Sequence, residues 1–153
     1  MGHRAPRIRV SGMIWHDDQL LLIRQGRASS PRWMLPGGGV EAGESLHDAL
    51  TRELREEIGL RAARVQDPVA IVESIAPEAH PSGRHLLHVI FQVVLPDGLE
   101  PTDLNGEDPD IRAVQTFSRS ALLGVPLHPP IAAWLSAWRS GTPFAYFGPL
   151  WAP

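Results

Sequence analysis

Two linked segments decide the fold: Gly38-Gly39-Val40-Glu41-Ala42-Gly43-Glu44 and, eight residues further along, Arg52-Glu53-Leu54-Arg55-Glu56-Glu57-Ile58-Gly59-Leu60. A glycine-rich turn leads into a helix pattern. Ser45 is placed to cap the helix N-terminus, with Asp48 as a capping-box-like partner, and Gly59 supplies the stop. Leu46, Ala49, Leu50, Leu54 and Ile58 recur at helical spacing and form an apolar stripe. Glu53, Glu56 and Glu57 stand at i, i+3 and i+4, so an α-helix brings their carboxylates to one face, at the border of that stripe. Unpaired, such a cluster repels itself. A hard divalent cation that prefers oxygen ligands turns the repulsion into a binding site. An acidic helix face alone is more often a solvated surface; the glycine loop, Glu44 and Arg52 at fixed spacing reverse that reading.

Outward from this segment the chain reads as strands and loops. Ile8–Trp15 and Gln19–Arg24 are short apolar runs separated by His16-Asp17-Asp18, a pattern for a β-hairpin or two neighbouring strands. A polar loop spans Gln25–Arg32, and Trp33-Met34-Leu35 is a brief strand stopped by Pro36 and the glycines. Beyond the helix, Val65–Ile75 reads as a strand interrupted near Asp67-Pro68. His85–Leu95 is the strongest strand pattern, Pro96–Pro109 a long acidic loop, and Ile111–Phe117 a further strand. Ser118 begins a helical turn, and Pro129-Pro130 opens a helix to about Arg139 with Ile131, Trp134, Leu135 and Trp138 on one face. The tail from Gly141 has no clear period. With no internal repeat and no dividing linker, residues 1–153 read as a single domain.

Composition narrows the functional classes. The apolar fraction of 43% and charged fraction of 20% suit a soluble globular chain. A net charge of −3 gives no overall basic surface, so a polymeric nucleic acid is not an expected partner. The absence of cysteine excludes thiolate metal sites and thiol nucleophiles. No apolar run reaches membrane-span length and the first residues lack a signal-peptide core, so the expected location is cytoplasmic, with no membrane partner. All 14 basic residues are arginine. Because they are scattered, compositional drift explains this better than a dedicated phosphate grip.

The run Gly38–Leu60 resembles the signature of the Nudix hydrolases at every defining position: Gly38, Glu44, Arg52-Glu53, Leu54, Glu56-Glu57, Gly59 and Leu60. Trp33-Met34-Leu35-Pro36-Gly37 is similar to the family's entry into the motif. So many fixed positions carry far more weight than a lone glycine motif. The resemblance implies an α/β fold, an α/β/α sandwich with a mixed central sheet. It also implies Mg²⁺-dependent hydrolysis, with Mn²⁺ as a substitute, of the pyrophosphate bond in a nucleoside diphosphate linked to another group. Carried over by position, Glu53, Glu56 and Glu57 ligate the metal together with the Gly37 carbonyl, while Gly38, Glu44 and Arg52 are structural, the last two as a salt bridge. Metal ions there would neutralise pyrophosphate charge and activate water.

Family members differ in the general base, using a motif glutamate or one from a distant loop. The loop candidates here are Glu107, Asp108 and Asp110; Glu56 or Glu53 is favoured, with Glu107 as the outside candidate. Asp110-Ile111 and Thr116-Phe117 fall where the family often has Glu-Ile and Trp-Phe, a departure that weakens the loop's case. Arg24, Arg27 and Arg32 are candidate phosphate contacts, each equally compatible with a solvent-exposed role. His85 and His88, three apart on a strand, point to opposite faces, so at most one faces the site; His88 is taken as the substrate-contact candidate, against a packing role. Trp15 and Trp33 could stack a nucleobase, but core packing is the stronger reading. Within the family it resembles, members acting on dinucleoside polyphosphates often carry a tyrosine shortly after the motif and those acting on ADP-ribose a proline. The only tyrosine here is Tyr146, which disfavours the first, Pro77 leans slightly towards the second, and (d)NTP substrates stay open. The rival reading is a non-catalytic nucleotide- or metabolite-sensing domain on the same scaffold. The aromatic tail and the family habit both allow a homodimer.

Overall fold

The apolar strands distribute between two sheets, and the side-chain parity of each strand decides which core it feeds. The computed structural model describes residues 2–26 and 32–151. Arg27 therefore lies outside the described residues. In chain order the elements are β1 (Arg7–Met13), β2 (Trp15–His16), β3 (Gln19–Gln25), β4 (Arg32–Met34), β5 (Gly37–Gly39), α1 (Leu46–Ile58), β6 (Arg64–Ile75), β7 (His85–Val94), β8 (Ile111–Ser118), α2 (Arg119–Leu122), α3 (Ala132–Ala137) and β9 (Ala145–Leu150).

The central sheet has the order β5-β1-β7-β6-β9 and is mixed: β1 runs parallel to β7 and β6 parallel to β9, while β1–β5 and β6–β7 are antiparallel. A smaller antiparallel sheet is built on β3, with β8 along one edge and β2 and then β4 along the other. On one face of the central sheet, Val10, Val89, Phe91 and Val93 pack with Ala49, Leu50, Leu54 and Ile58 of α1. The other face sends Met13, Ala70, Val72 and Ile90 against Leu122 of α2 and Ile131 and Leu135 around α3. Helices thus cover both faces of a mixed sheet, the expected α/β/α arrangement. Among the described residues no helix is long and apolar enough to cross a membrane.

Several local expectations change. The hairpin is formed by β2 and β3 across Asp17-Asp18, both at positive φ (48° and 58°), whereas β1 departs to the central sheet. The glycines that were to end a strand form one themselves: β5 pairs with β1, and the bare Cα atoms permit the close approach. β6 continues through Pro68, absorbing it as register irregularities instead of breaking. The helix after Pro129-Pro130 is shorter than expected, ending at Ala137 because Trp138 turns extended (ψ 135°) and buries its ring. The tail supplies the edge strand β9, whose Gly148 and Pro149 hid it from any pattern of alternation.

α1 follows its sequence closely. The Ser45 side chain accepts the Asp48 N–H at 3.0 Å, which is half of a capping box. Gly59 adopts the left-handed conformation (φ 69°) and its N–H returns to the carbonyls of Arg55 and Leu54. The stripe Ala49, Leu50, Leu54 and Ile58 is fully buried, which sets the rotation of the helix and hence where its acids point.

Candidate functional site

Rotation of α1 grades its three glutamates by burial. Glu57 is only 3% exposed, the Glu53 side chain 15% and the Glu56 side chain 49%. They occupy the side of the helix that meets β5. The Gly37 N–H donates to Glu57 Oε2 at 2.7 Å, tying the most buried carboxylate to the glycine strand. Gly38 lies directly over Glu53; a Cβ there would overlap the Glu53 carboxylate and displace it, so the glycine makes room for that carboxylate.

Arg52 organises the remaining acids. Its Nε and Nη2 donate to the two Glu44 oxygens at 2.8 and 2.9 Å, a bidentate pair. Nη2 also donates to the Gly39 carbonyl at 3.2 Å, and Nη1 to Glu53 Oε1 at 2.9 Å and Glu56 Oε2 at 3.4 Å. Glu44 Oε1 further accepts the Glu41 N–H at 2.8 Å. The hydrogen bonds from Arg52 and Glu41 lower the Glu44 carboxyl to about 2, and Glu44 in turn raises Arg52. One guanidinium therefore fastens the glycine loop to the helix and aims Glu53.

Glu57 behaves differently. Burial pushes its carboxyl up to about 8, outweighing the Arg9 guanidinium and the Gly37 N–H, both of which favour the anion. Arg9, on β1, donates from Nη2 to the Gly37 carbonyl at 2.9 Å; burial lowers its pKa while Glu57 and Glu53 raise it. The Gly37 carbonyl and the three helix carboxylates offer oxygen donors only, the kind that hard divalent cations prefer. The three carboxylates are held in different directions by Arg52 and by the Gly37 N–H, and they do not converge as a compact trio; a cation would have to draw them together. Among the described residues the compact group of potential ligands is a separate, largely exposed one, His16, Asp17 and Glu100, whose imidazole and Glu100 carboxylate lie 3.0 Å apart.

The acidic loop after β7 docks on the end of α1. The N–H groups of Glu107 and Asp108 donate to the Glu56 carbonyl at 3.1 and 3.2 Å, satisfying a helix-terminal acceptor. Glu107 projects its side chain to solvent, while Asp108 is half-buried and close enough to Glu57 to raise its pKa. Glu57, Gly106, Asp108 and Arg112 line one cleft. Asp110, whose N–H donates to Asp108 Oδ1 at 2.9 Å, is exposed.

The other sequence candidates scatter. Arg24 sits on β3 opposite Trp33 with its Nε buried and without a partner among the described residues, and Arg32 pairs with Gln25 across the same strands. His85 lies 3.4 Å from Glu73, whereas His88 turns to the opposite face and is 2% exposed. Trp33 packs edge-on to Phe117 at 4.9 Å, and Trp15 lies under the Arg119 guanidinium, so both belong to the core as expected. Arg9 and His128 escaped the sequence reading. An arginine amid the apolar residues of β1, on the parity of Ser11 and Met13, was the available signal for Arg9; His128, in an irregular segment, had none.

A model of the NUDIX domain matches residues 5–137. The chain belongs to the Nudix family. An ADP-ribose pyrophosphatase of Methanocaldococcus jannaschii is 36% identical over 87 residues, which are 56% of this chain and 49% of that protein. The chain thus spans about half the length of this relative. The nucleoside triphosphatase NudI of Escherichia coli is 33% identical over 96 residues, 58% of this chain and 68% of NudI. Among solved structures, the E. coli ORF135 protein superposes with a TM-score of 0.64 at 29% identity, covering 86% of this chain and 87% of its own. A MutT Nudix hydrolase from Burkholderia pseudomallei gives 0.68 at 26% identity, covering 88% and 100%.

Proposed function

We propose that residues 1–153 form one hydrolase domain that splits the pyrophosphate bond of a nucleoside diphosphate linked to another group, in a Mg²⁺- or Mn²⁺-dependent reaction. The observation that carries this reading is the Glu53, Glu56 and Glu57 face beside the Gly37 carbonyl, braced by Arg52. A pure binding domain gains nothing from burying Glu57 at a cost to its ionisation; a metal-binding enzyme does.

Glu53, Glu56, Glu57 and the Gly37 carbonyl would hold the cation, which supplies charge neutralisation and an acidified water when bound. This chain's own residues do the rest. Arg52 fixes the direction of Glu53 and Glu56, and Arg9 places a positive charge beside the Gly37 carbonyl, where a phosphate oxygen would lie. For water activation the geometry supports the motif glutamates and, from the docked loop, Asp108 in preference to the exposed Glu107. The substrate class is a (d)NTP or an ADP-ribose-like compound, in keeping with the names of the two relatives. A cytoplasmic location and a homodimer fit the same reading.

The test is a panel assay with Mg²⁺ across dNTPs, ADP-ribose, NADH and diadenosine polyphosphates. Turnover of at least one member, abolished by chelation, is the expected result. A folded protein that turns over none of them overturns the proposal.

A further inference from the structure

β1 and β7 are parallel neighbours whose register sets Arg9 opposite His88, so both side chains leave the sheet on the same face. His88 is 2% exposed, and among the described residues neither of its ring nitrogens has a hydrogen-bond partner. A second imidazole, His128, stands with its ring centre 6.1 Å away; its Nδ1 is also buried and has no partner among the described residues. The His128 backbone is anchored by its N–H to the Trp33 carbonyl at 2.9 Å, and its ring meets the edge of Trp151 at 6.2 Å. Buried polar atoms are normally satisfied and each orphan costs stability, so three at one spot mark a place where a polar group would be stabilising.

The charge around the pair says what that ligand is. Arg9 acts on both imidazoles, and Arg32 and Arg84 on His128. Among the described residues none of these three arginines forms an ion pair with a carboxylate, whereas Arg52, Arg64 and Arg119 do. The surroundings repel a cation, which removes the reading of two histidines as metal ligands. They offer N–H donors in excess of acceptors, which suits an anionic, oxygen-rich group. Arg9 also joins this cluster to the motif, through its 2.9 Å bond to the Gly37 carbonyl.

We infer that Arg9, His88 and His128, with Arg32 and Arg84 at the rim, form a second anion subsite that receives a further phosphoryl group beyond the diphosphate held at the motif. This rests on the proposed function only in placing the diphosphate beside Gly37. In ADP-ribose the diphosphate is flanked on both sides by uncharged ribose, so nothing in it fills the subsite. A nucleoside triphosphate does, and it is the substrate class that this cluster selects.

Calorimetry with the full chain and Mg²⁺ tests this without turnover, using α,β-methylene nucleoside triphosphates of the four bases against their matching diphosphates. The best triphosphate is expected to bind at least about tenfold tighter than its diphosphate, the equivalent of one charge-assisted hydrogen bond. His88→Gln and His128→Asn should each shrink that ratio while leaving diphosphate affinity in place. Equal affinity for the two analogues in the wild type, or equal losses for both in a folded variant, overturns the subsite. Should His88→Gln fail to fold, His128→Asn decides alone. Failure of the hydrolase reading shows separately, as absence of turnover with the triphosphate preference intact.

Discussion

Glu57→Gln separates the energetic role of the buried carboxyl from its chemical one. The folded carboxyl keeps its proton up to about pH 8, against about 4.5 for the ordinary group. Between those values the folded state binds the extra proton, so its stability is full below pH 4.5 and is lost as pH rises towards 8. At about 1.4 kcal/mol per pH unit, raising metal-free protein from pH 4.5 to 7.5 costs on the order of 4 kcal/mol through this one group. Glutamine keeps an oxygen for the Gly37 N–H, now 2.7 Å from Glu57 Oε2, but does not titrate. Denaturant melts of wild type and Glu57→Gln in EDTA, at pH 4.5 and 7.5, isolate the effect, since other titrating groups are common to both proteins. The variant should gain about 4 kcal/mol on the wild type across that interval. Saturating Mg²⁺ should then stabilise the wild type and leave the variant unmoved, because a cation rewards only the state that binds it. A stability difference that stays constant with pH, or equal Mg²⁺ stabilisation of both proteins, refutes the reasoning.

Gly38→Ala places a Cβ 2.6 Å from Glu53 Oε2, so the carboxylate must swing aside by about 1 Å from its bond to Arg52. A displacement of that size at a reacting centre costs about a hundredfold in kcat; a steady-state assay showing unchanged kcat in a folded variant would contradict the placement of Glu53. Asp108→Asn should lower kcat by at least about tenfold while Glu107→Gln changes it little, as their pH–rate profiles will show. The reverse order would return the loop's role to Glu107.

Much of the site was readable because its determinants are local. Helical periodicity puts Glu53, Glu56 and Glu57 on one face whatever the rest of the chain does, and Ser45 and Gly59 set the helix ends. The Glu44–Arg52 pair, eight residues apart, also formed as the family resemblance implied. Burial was less legible. The three acids look alike in sequence, yet packing of Leu54 and Ile58 turns Glu57 inward and leaves Glu56 half in water.

What the sequence determined by itself is the α1 motif, since spacing along a helix is a short-range property of the chain, and the class of chemistry followed from the family that motif resembles. Tertiary structure alone decided which distant groups join it. Arg9 reaches Gly37 because β1 pairs with β5, and it neighbours His88 because β1 pairs in parallel with β7, 79 residues on in the chain. His128 arrives from an irregular segment held by Trp33. Strand pairing at long range depends on the energy of the whole packed core, so no local pattern could announce that these three side chains would meet.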